Sequence, residues 1–357
     1  MPAPIDHLCT TQGEQGAARV TRALITGITG FAGGHLAAHL QARGDVEIYG
    51  VAINRGCGLD FLERPVSCTM ADLQDAQVVN QLLLDIRPDH IYHLAGQAFV
   101  PASWQDPWGT FETNVRPELN ILRTIADHGL KTRVLVVASN EVYGRVPPER
   151  LPVDEDTPMQ PQNPYGVSKV AQDVLAYQYF LSHGLDVIRA RPFNHIGPRQ
   201  SPLFVAAAFA RQIAEAEAGL REPVLYVGNL EAQRDFTDVV DVVRAYALLM
   251  ERGQSGLAYN IGSGQPHSAR YLLDTLLTMS SFHIRVEQDR ARMRPSDVPV
   301  IYANNARLRA HTGWQPTVPI EESLRRVLDY WRQVVRQPDY VPEQPHRTQP
   351  QGGHDRS

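Results

Sequence analysis

A glycine-rich turn near the start of the chain constrains the fold more than any other feature of the sequence. The apolar run at residues 21–26 is typical of a short strand, and Gly27, Gly30 and Gly33 follow directly. A helix pattern comes next and ends at Gly44. Glycines placed in this way let backbone approach a pyrophosphate at a helix N-terminus, which offers free N–H groups and a positive dipole end. Although the spacing is GxxGxxG rather than GxGxxG, the order predicts the first half of a nucleotide-binding βαβ unit.

The residues after the second predicted strand, at 46–53, bear on which dinucleotide binds. An acidic residue there usually holds the ribose 2′-hydroxyl of NAD, but this chain has Asn54 and Arg55. An arginine can pair bidentately with a 2′-phosphate. We therefore expect NADP(H) to be preferred and NAD(H) to remain possible, with a solvated loop charge as the other interpretation of Arg55.

A short third strand at about residues 66–70 precedes Asp72 and Leu73. The Asp72 carboxylate could accept a hydrogen bond from an adenine amino group. It could equally cap the helix that begins near Asp75. The sequence leaves both interpretations open.

Small residues end the fourth predicted strand. Ala95 and Gly96 would let a cofactor lie close to the backbone. The prolines at residues 97–107 predict a loop there. Asn114, inside the apolar pattern of the next helix, either supports the active-site backbone or lies on the surface.

Polar residues after the fifth predicted strand carry the predicted chemistry. Ser139 follows the strand at 133–138, and Tyr165 and Lys169 share one face of a later helix. An ammonium beside a phenol favours the phenolate and should lower the tyrosine pKa. Such a tyrosine can exchange a proton with a carbonyl oxygen, to which Ser139 can also donate. A Tyr–Lys pair alone is common on helices, but together with Ser139 and the glycine turn it indicates an oxidoreductase.

A second lobe begins after the sixth predicted strand, at 185–191, where the strand–helix alternation weakens. Arg234, beside an apolar strand, is a candidate phosphate clamp. Arg294 and Asp297 could stand at the mouth of the same site. We expect Asp238 to cap the helix that follows it.

The predicted fold class is α/β, with a Rossmann-type doubly wound parallel sheet and a smaller C-terminal α/β substrate lobe. A chain of 357 residues, 43% of them hydrophobic, can build both parts. We expect a flexible leader at 1–20, a dinucleotide-binding domain at 21–192 to which 230–262 return, a substrate lobe at 193–229 and 263–336, and a disordered tail at 337–357.

Composition excludes several classes of partner. The net charge of −5 gives no nucleic-acid footprint, and no apolar run approaches the length of about 18 residues needed for a membrane span. Three cysteines without a CxxC pair argue against a disulfide frame or a zinc site, and the 13 histidines lack ligand spacing. Without a signal peptide, a soluble cytoplasmic protein that binds no metal is expected.

The motifs together resemble the extended short-chain dehydrogenase/reductase superfamily, also known as the NAD-dependent epimerase/dehydratase family. The glycine turn and the Ser139, Tyr165 and Lys169 set carry this resemblance over roughly residues 21–335. Five stretches are similar to the branch that acts on GDP-deoxyhexoses, and most similar to its GDP-4-dehydro-6-deoxy-D-mannose reductases: 139–144, 163–173, 189–198, 228–239 and 294–298.

The resemblance implies that a GDP-linked 4-keto-6-deoxyhexose is reduced at C4 by NAD(P)H to give GDP-D-rhamnose. Tyr165 would donate the proton, Lys169 would hold the nicotinamide ribose, and Ser139 would bind the sugar carbonyl. The predicted cofactor-binding residues are Gly27, Thr29, Gly30, Phe31, Ala32, Gly33, Asn54, Arg55, Asp72, Leu73, Leu94, Ala95, Gly96, Gln97, Tyr165, Lys169 and Pro192. The predicted substrate-binding residues are Ser103, Asn140, Asn194, Phe204, Val205, Arg211, Arg234, Arg294 and Asp297.

The superfamily commonly forms homodimers through a four-helix bundle that includes the tyrosine helix. Apolar residues such as Val170, Val174 and Phe180 on that helix permit this assembly. We therefore expect a homodimer.

GDP-mannose 4,6-dehydratase is the main alternative function. Dehydratases of the superfamily carry Thr-(Asp/Ser)-Glu after the fifth strand, where this chain has Ser139, Asn140 and Glu141. Glu141 could remove the C5 proton, but Asn140 cannot donate a proton to a leaving hydroxyl, so reduction is favoured. Another nucleotide-sugar 4-reductase or epimerase, such as one giving GDP-6-deoxy-D-talose, is a further alternative. A silent NADP(H)-binding module would lack part of the Ser/Tyr/Lys set, which is complete here.

Overall fold

A seven-stranded parallel sheet forms the centre of the protein, in a computed structural model that describes residues 20–53, 59–293 and 298–342. The described strands are β1 (Thr21–Thr26), β2 (Val46–Ala52), β3 (Ser67–Met70), β4 (His90–His93), β5 (Arg133–Val137), β6 (Asp186–Pro192), β7 (Asn194–Ile196), β8 (Val224–Val227), β9 (Gln233–Asp238), β10 (Ala258–Ile261), β11 (Pro266–Ser268), β12 (Arg285–Gln288) and β13 (Val300–Ile301). The described α-helices are α1 (Phe31–Arg43), α2 (Ala76–Ile86), α3 (Val100–Gln105), α4 (Pro107–His128), α5 (Pro164–His183), α6 (Val205–Glu217), α7 (Val239–Arg252), α8 (Ala269–Thr278), α9 (Ala306–Thr312) and α10 (Ile320–Val334).

The order of the central sheet is β10-β6-β5-β4-β1-β2-β3, and every neighbouring pair is parallel. The strand order reverses between β1 and β4. In open α/β sheets, ligands bind at the carboxyl ends of the strands at such a switch point. This confirms the predicted doubly wound sheet and fixes where a dinucleotide site is expected.

Successive apolar residues bury both faces of the sheet, which explains why its strands show no polar alternation. Ile25 and Leu135 belong to the core beneath α1 and α7. Leu24 and Val134 belong to the core beneath α2, α4 and α5. Helices therefore cover both faces of the sheet.

The second lobe has its own hydrophobic core, formed by α6, α8 and α10. Phe209, Leu272 and Leu328 are buried in it, and Trp331 is 7% exposed. Strand β9 is the centre of this lobe and pairs with β7, β11 and β13. The lobe therefore packs as a separate α/β layer beside the sheet.

The chain returns from the lobe to the central sheet. Strand β10 adds to β6, and α7 packs against α1. Leu308 of α9 and Trp314 are fully buried in the same core as α7, although they lie within the stretch predicted for the substrate lobe. We therefore place them with the dinucleotide-binding half.

Most predicted elements are confirmed, and two stretches differ from the prediction. Strand β1 matches the predicted bounds, and the Asp238 side chain accepts a hydrogen bond from Val240 N at 2.8 Å at the start of α7. The stretch predicted as a loop contains α3, with Pro101 in its first turn, where a missing N–H is harmless. In the stretch predicted as a tail, the Tyr340 hydroxyl donates to the Glu215 carboxylate at 2.5 Å. Residues 1–19 and 343–357 lie outside the described residues.

Candidate active site

The glycine turn after β1 packs so closely that side chains cannot fit in it. Gly27 has φ +69°, and a Cβ there would lie 2.9 Å from the Ala95 backbone at the end of β4. A Cβ at Gly33 would lie 2.3 Å from the Gly27 carbonyl oxygen. Gly30 precedes α1 without a side-chain cap, so the first-turn N–H groups face outwards at the switch point. This cradle fits a dinucleotide pyrophosphate.

Other predicted cofactor residues surround the cradle. Thr29 and Ala32 are half-buried beside the turn, and the Phe31 ring stacks on His195 with centroids 5.7 Å apart. Leu73 is buried in the sheet core, and Pro192 is buried at the end of β6.

The structure excludes one of the two roles left open for Asp72, that of the helix cap. Asp75, not Asp72, caps α2, because its carboxylate accepts from Gln77 N at 2.8 Å. Asp72 is exposed after β3, and its Oδ1 accepts from Gln74 N at 2.9 Å. Its second oxygen lies at the end of the strand where an adenine is expected. Asn54 and Arg55 lie outside the described residues.

Ser139 and Tyr165 meet at the carboxyl end of β5. Asn163 caps α5, with its Oδ1 accepting from Gly166 N at 2.8 Å, and Pro164 occupies the first turn. This start places the buried Tyr165 over the end of β5, close enough to Ser139 for the serine side chain to lower the pKa of the phenol. Ser139 Oγ also accepts from Glu141 N at 3.2 Å. The two hydroxyls can therefore converge on one carbonyl oxygen.

Lys169 lies one turn further along α5 and is held by neutral oxygens. Its Nζ donates to Val137 O at 2.9 Å and to Gln172 Oε1 at 2.8 Å, and lies 5.9 Å from the Tyr165 ring centroid. A Cβ on Gly96 would lie 3.9 Å from this Nζ. Burial lowers the pKa of Lys169 to about 8, and the charge of Glu118 partly opposes this shift.

The tyrosine pKa does not follow the sequence-based expectation. Burial raises the pKa of Tyr165 well above its usual value, and the nearby Ser139 side chain only partly opposes this effect. The charge of Glu141 raises it further. The predicted lowering by Lys169 is wrong for this arrangement: the ammonium donates to Val137 O and Gln172 Oε1, and burial outweighs any effect it has on the phenol. Tyr165 is therefore a protonated donor at neutral pH.

Asn114 supports the active-site backbone, which settles the choice left open by the sequence. It is fully buried, and its Oδ1 accepts from Gln97 N at 2.7 Å. Its Nδ2 donates to Gln97 O at 3.2 Å and to Ser168 Oγ at 2.8 Å. Asn114 thus ties the segment of Leu94 and Gln97, after β4, to the helix that carries Tyr165.

Glu141 and Asn140 flank the Ser139–Tyr165 pair. Asn140 is 5% exposed, and its Oδ1 lies 3.4 Å from Ser139 Oγ. Glu141 is half-buried, and its Oε2 accepts from Asn163 Nδ2 at 2.7 Å. The helix cap therefore also restrains the carboxylate, a link that sequence reasoning missed although the Asn-Pro start of the helix was visible.

The structure brings only some of the predicted substrate residues towards the cleft. Phe204 precedes α6, and its ring meets Phe99, which precedes α3, with centroids 6.0 Å apart. Val205 begins α6, and Asn194 begins β7 directly after the central sheet. The contact of Phe99 with Phe204 joins the two lobes, and no sequence pattern predicted it.

Three other predicted substrate residues have internal partners. Ser103 is fully buried and donates to Val100 O at 2.7 Å, so we leave it out of the substrate set. Arg211 lies 3.9 Å from Glu215 on α6. Arg234 donates to Val298 O at 2.6 Å, next to the undescribed stretch that contains the two remaining residues, Arg294 and Asp297.

A buried network below the site was not visible in the sequence. The Asp173 carboxylate is fully buried and binds Arg189 at 2.7 Å and Arg191 at 2.8 Å. Arg191 also donates to the Tyr143 hydroxyl, which donates to Asn260 Oδ1 at 2.7 Å. The network joins α5 to β6 and β10.

The described ranges lack two features that mark other classes of protein. Within them, no three or more His, Cys, Asp or Glu side chains gather in a way that could hold a metal ion. None of the helices that the structure describes has the length and apolar character to cross a bilayer.

Comparisons with known proteins agree with this geometry. A family model described as GDP-mannose 4,6 dehydratase matches residues 24–327. A GDP-6-deoxy-D-mannose reductase from Pseudomonas aeruginosa is 37% identical over 316 residues, which are 88% of this chain and 99% of the relative.

Two solved structures show the same fold with a bound dinucleotide. RMD from Pseudomonas aeruginosa, complexed with NADPH, has a TM-score of 0.78 at 36% identity and covers 88% of this chain and 99% of its own. UDP-glucose 4-epimerase from Thermus thermophilus, in complex with NAD, has a TM-score of 0.75 at 31% identity, with coverages of 87% and 99%. The chain therefore belongs to the GDP-mannose 4,6-dehydratase-like family of extended short-chain dehydrogenase/reductases.

Proposed function

We propose that the protein reduces the 4-keto group of GDP-4-dehydro-6-deoxy-D-mannose to give GDP-D-rhamnose, as an NAD(P)-dependent oxidoreductase. The observation that carries this proposal is the proximity of the buried Ser139 and Tyr165 at the carboxyl end of β5, beside the buried Lys169. The 37% identity to a GDP-6-deoxy-D-mannose reductase supports the choice of substrate. NADPH is the preferred reductant, as in the related RMD structure, and NAD(H) is also possible.

When bound, the cofactor supplies a hydride to C4 of the sugar, and the residues of this chain manage the charge that develops on O4. Ser139 and Tyr165 donate hydrogen bonds to that oxygen, which stabilises the alkoxide-like transition state. Tyr165 then transfers its proton to O4. Lys169, with one N–H left beyond Val137 O and Gln172 Oε1, can hold the nicotinamide ribose beside Gly96.

The substrate lobe would hold the nucleotide end of the sugar. Asn194, Phe204 and Val205 lie where the lobe meets the sheet, and Arg234 lies on the central strand of the lobe. A planar guanidinium suits phosphate oxygens, so Arg234 and the undescribed Arg294 remain our proposed diphosphate contacts. The two-part division of the chain predicted from sequence is retained on this basis, with Leu308 and Trp314 moved to the cofactor half.

A dehydratase is the second candidate, and Glu141 is the observation that favours it. A half-buried carboxylate beside Tyr165 could remove the C5 proton. However, its neighbour Asn140 has no proton to give to a departing hydroxyl. Incubation with GDP-mannose and oxidised cofactor, without added reductant, separates the candidates. A 4-keto product that accumulates would establish the dehydratase and refute the reductase.

The replacement Tyr165→Phe tests the proposed proton donor. Phenylalanine has nearly the same shape, so folding and NADPH binding should be retained. Loss of a general acid typically costs about 10²–10⁴ in rate, so kcat for the keto sugar should fall by about 10³-fold. NADPH oxidation and fluorescence titration measure the two effects. A variant with unchanged turnover would exclude Tyr165 as the acid.

We further propose a homodimer that forms through α4 and α5. Val170 and Phe180, which the sequence suggested for this interface, pack against the core of their own chain. The exposed apolar side chains on α5 are instead Val167, Val174, Tyr177 and Leu181, at 39–64% exposure. They repeat every three to seven residues along one face, as a helix–helix contact requires. Light scattering tests the proposal: one chain has a mass of 39.8 kDa, and a measured mass of a single chain would refute it.

The reactants also bear on location. Reduced nicotinamide cofactor and GDP-linked sugars are small, charged metabolites that do not cross membranes unaided. A cytoplasmic location, where both would be made and consumed, therefore remains our proposal. Fractionation of cells that produce the protein would test it, and recovery in an extracytoplasmic fraction would refute it.

A further inference from the structure

Beneath Lys169, two pairs of polar side chains join α4 to α5 in a layer that is otherwise apolar. Asn114 and Glu118 lie one turn apart on α4, and Ser168 and Gln172 lie one turn apart on α5. Each of the four is at most 1% exposed. Asn114 donates to Ser168 at 2.8 Å, and the Glu118 carboxyl lies beside the Gln172 amide. The first pair supports the cofactor segment, while the mechanism above leaves the second pair without a role.

Glu118 is an unusual residue for this position. A carboxyl group loses a large hydration free energy when it is buried, so buried carboxyl groups are normally paired with cations. Its contact with Gln172 is not a well-formed hydrogen bond: within the described part of the chain, neither carboxyl oxygen has a hydrogen-bond partner, and nor does Gln172 Nε2. An apolar side chain would pack here at lower cost, which points to a role other than stability.

Gln172 connects this carboxyl to the active site. The Oε1 atom of Gln172 accepts from Lys169 Nζ at 2.8 Å. The amide nitrogen, Nε2, is therefore the atom of Gln172 that can donate towards Glu118. A carboxyl oxygen near that nitrogen favours the amide orientation that serves the lysine. The other contact of the ammonium, Val137 O, is neutral. Glu118 is thus the acid whose charge acts on Lys169.

We propose that Glu118 is a positioning residue of the active site, which acts through Gln172 to orient the Lys169 ammonium and keep it charged. The inference rests on the proposed function only in assigning Lys169 to the nicotinamide ribose. It adds a residue from a different helix, which touches neither cofactor nor substrate.

The pH behaviour follows from the groups that face this pair. Burial raises the pKa of Glu118 well above its usual range, and Asp173 raises it further, while Gln172 and Lys169 oppose the shift. Burial lowers the pKa of Lys169 to about 8, and Glu118 raises it. On β4, the nearby His93 stays neutral because burial and Lys169 lower its pKa to about 3. Burial disfavours either charge alone, but each charge offsets part of the cost of the other, so we take Glu118 as ionised while Lys169 is charged. Removal of the Glu118 charge should then lower the pKa of Lys169 further.

NADPH binding without sugar provides the test, by fluorescence titration between about pH 6 and 9.5. The affinity of the unaltered protein should weaken above a midpoint near the Lys169 pKa of about 8. In Glu118→Gln the midpoint should fall by about one pH unit, the low end of the effect of an opposite charge. The charged fraction of Lys169, and with it NADPH affinity, would then drop about eightfold at pH 8.5 and by only about a tenth at pH 6.

Three further variants make the result specific. Lys169→Met should abolish the pH dependence, which assigns the midpoint to the lysine. Gln172→Met should reproduce the shift of Glu118→Gln and serves as the test if that variant does not fold. Glu112→Gln is the matched control, because Glu112 pairs with Arg116 on the outer face of α4 and should leave the profile unchanged.

The same experiments can overturn the proposal. An unshifted midpoint in Glu118→Gln, or an equal shift in Glu112→Gln, would show that the buried charge has no influence on Lys169. A shift in Glu118→Gln but not in Gln172→Met would exclude the route through Gln172. Because NADPH binding is measured without sugar, failure of the protein to reduce the proposed keto sugar would refute the proposed function and leave this test intact.

Discussion

Replacement of Gly33 by alanine should disable the cofactor cradle more severely than any other single methyl group added to the turn. A Cβ at Gly33 would lie 2.3 Å from the Gly27 carbonyl oxygen and 2.8 Å from Ile28 Cα, both of them backbone atoms. Ordinary contact begins at 3.4 Å, so the start of α1 must move by about 1.1 Å from the turn. No side-chain rotation can relieve this clash.

The displacement has two measurable costs. Overpacking of this kind typically destabilises a protein by about 1–3 kcal/mol, which denaturant unfolding without cofactor would show. A misplacement of about 1 Å at a binding cradle can cost about 100-fold, so kcat/KM for NADPH should fall by about that factor. The pyrophosphate would still meet N–H groups, but these groups would be displaced from the Ala95 side of the cleft.

Gly30→Ala is the graded comparison on the same turn. Its Cβ would lie 3.1 Å from Gly27 O, which requires a movement of only about 0.3 Å. We expect a loss below about 1 kcal/mol and a several-fold effect on NADPH affinity. If Gly33→Ala bound NADPH as tightly as the unaltered protein, or if the two variants ranked in the opposite order, the assigned packing of turn and helix would be incorrect.

Two further predictions concern buried polar groups beside the cleft. His93 is fully buried with a pKa of about 3, so the unfolded state binds more protons below about pH 6.5 and stability falls as the pH drops. Between about pH 7.5 and 5 this group should cost about 2 kcal/mol of unfolding free energy, and denaturant titrations should show that His93→Asn lacks this loss. Asn114→Ala leaves Gln97 N–H without its acceptor and should cost about 1–3 kcal/mol. It should also raise KM for NADPH, and an unchanged KM would contradict the supporting role of Asn114.

The parts of the fold that sequence predicted well are those fixed by local patterns. Strand β1 and the start of helix α7 lie where they are predicted, because a glycine turn follows the strand and the Asp238 side chain caps the helix. The prolines at residues 97–107 predict a loop, but Pro101 occupies a first-turn position of α3, where it does not disturb a helix. Proline can therefore indicate either a loop or the first turn of a helix, and only the surrounding structure shows which of the two applies.

The candidate site was predicted by residue type but not by contact. Ser139, Tyr165 and Lys169 could be named because the chemistry needs them at known points of a βαβ pattern. The hydrogen-bond partner of Lys169 could not be named from the sequence, because Val137 O comes within reach only when β5 packs under α5. Ser103 looked suitable as a polar residue in a loop, yet its hydroxyl donates within its own helix. Burial and partners are properties of the packed chain, and they decide which polar residues remain available.

The raised pKa of Tyr165 can be compared with what each of the two candidate reactions, dehydration and reduction, needs from this residue. A dehydratase begins by oxidising C4, which requires a base to accept the hydroxyl proton, whereas a reductase begins with an acid. Burial and the Glu141 carboxylate both raise the pKa of Tyr165, so both stabilise the protonated phenol. Asn163 holds Glu141 at 2.7 Å in the position where it exerts this effect. The carboxylate that could serve elimination therefore also helps to keep Tyr165 protonated, the state in which its hydroxyl can donate to a ketone oxygen.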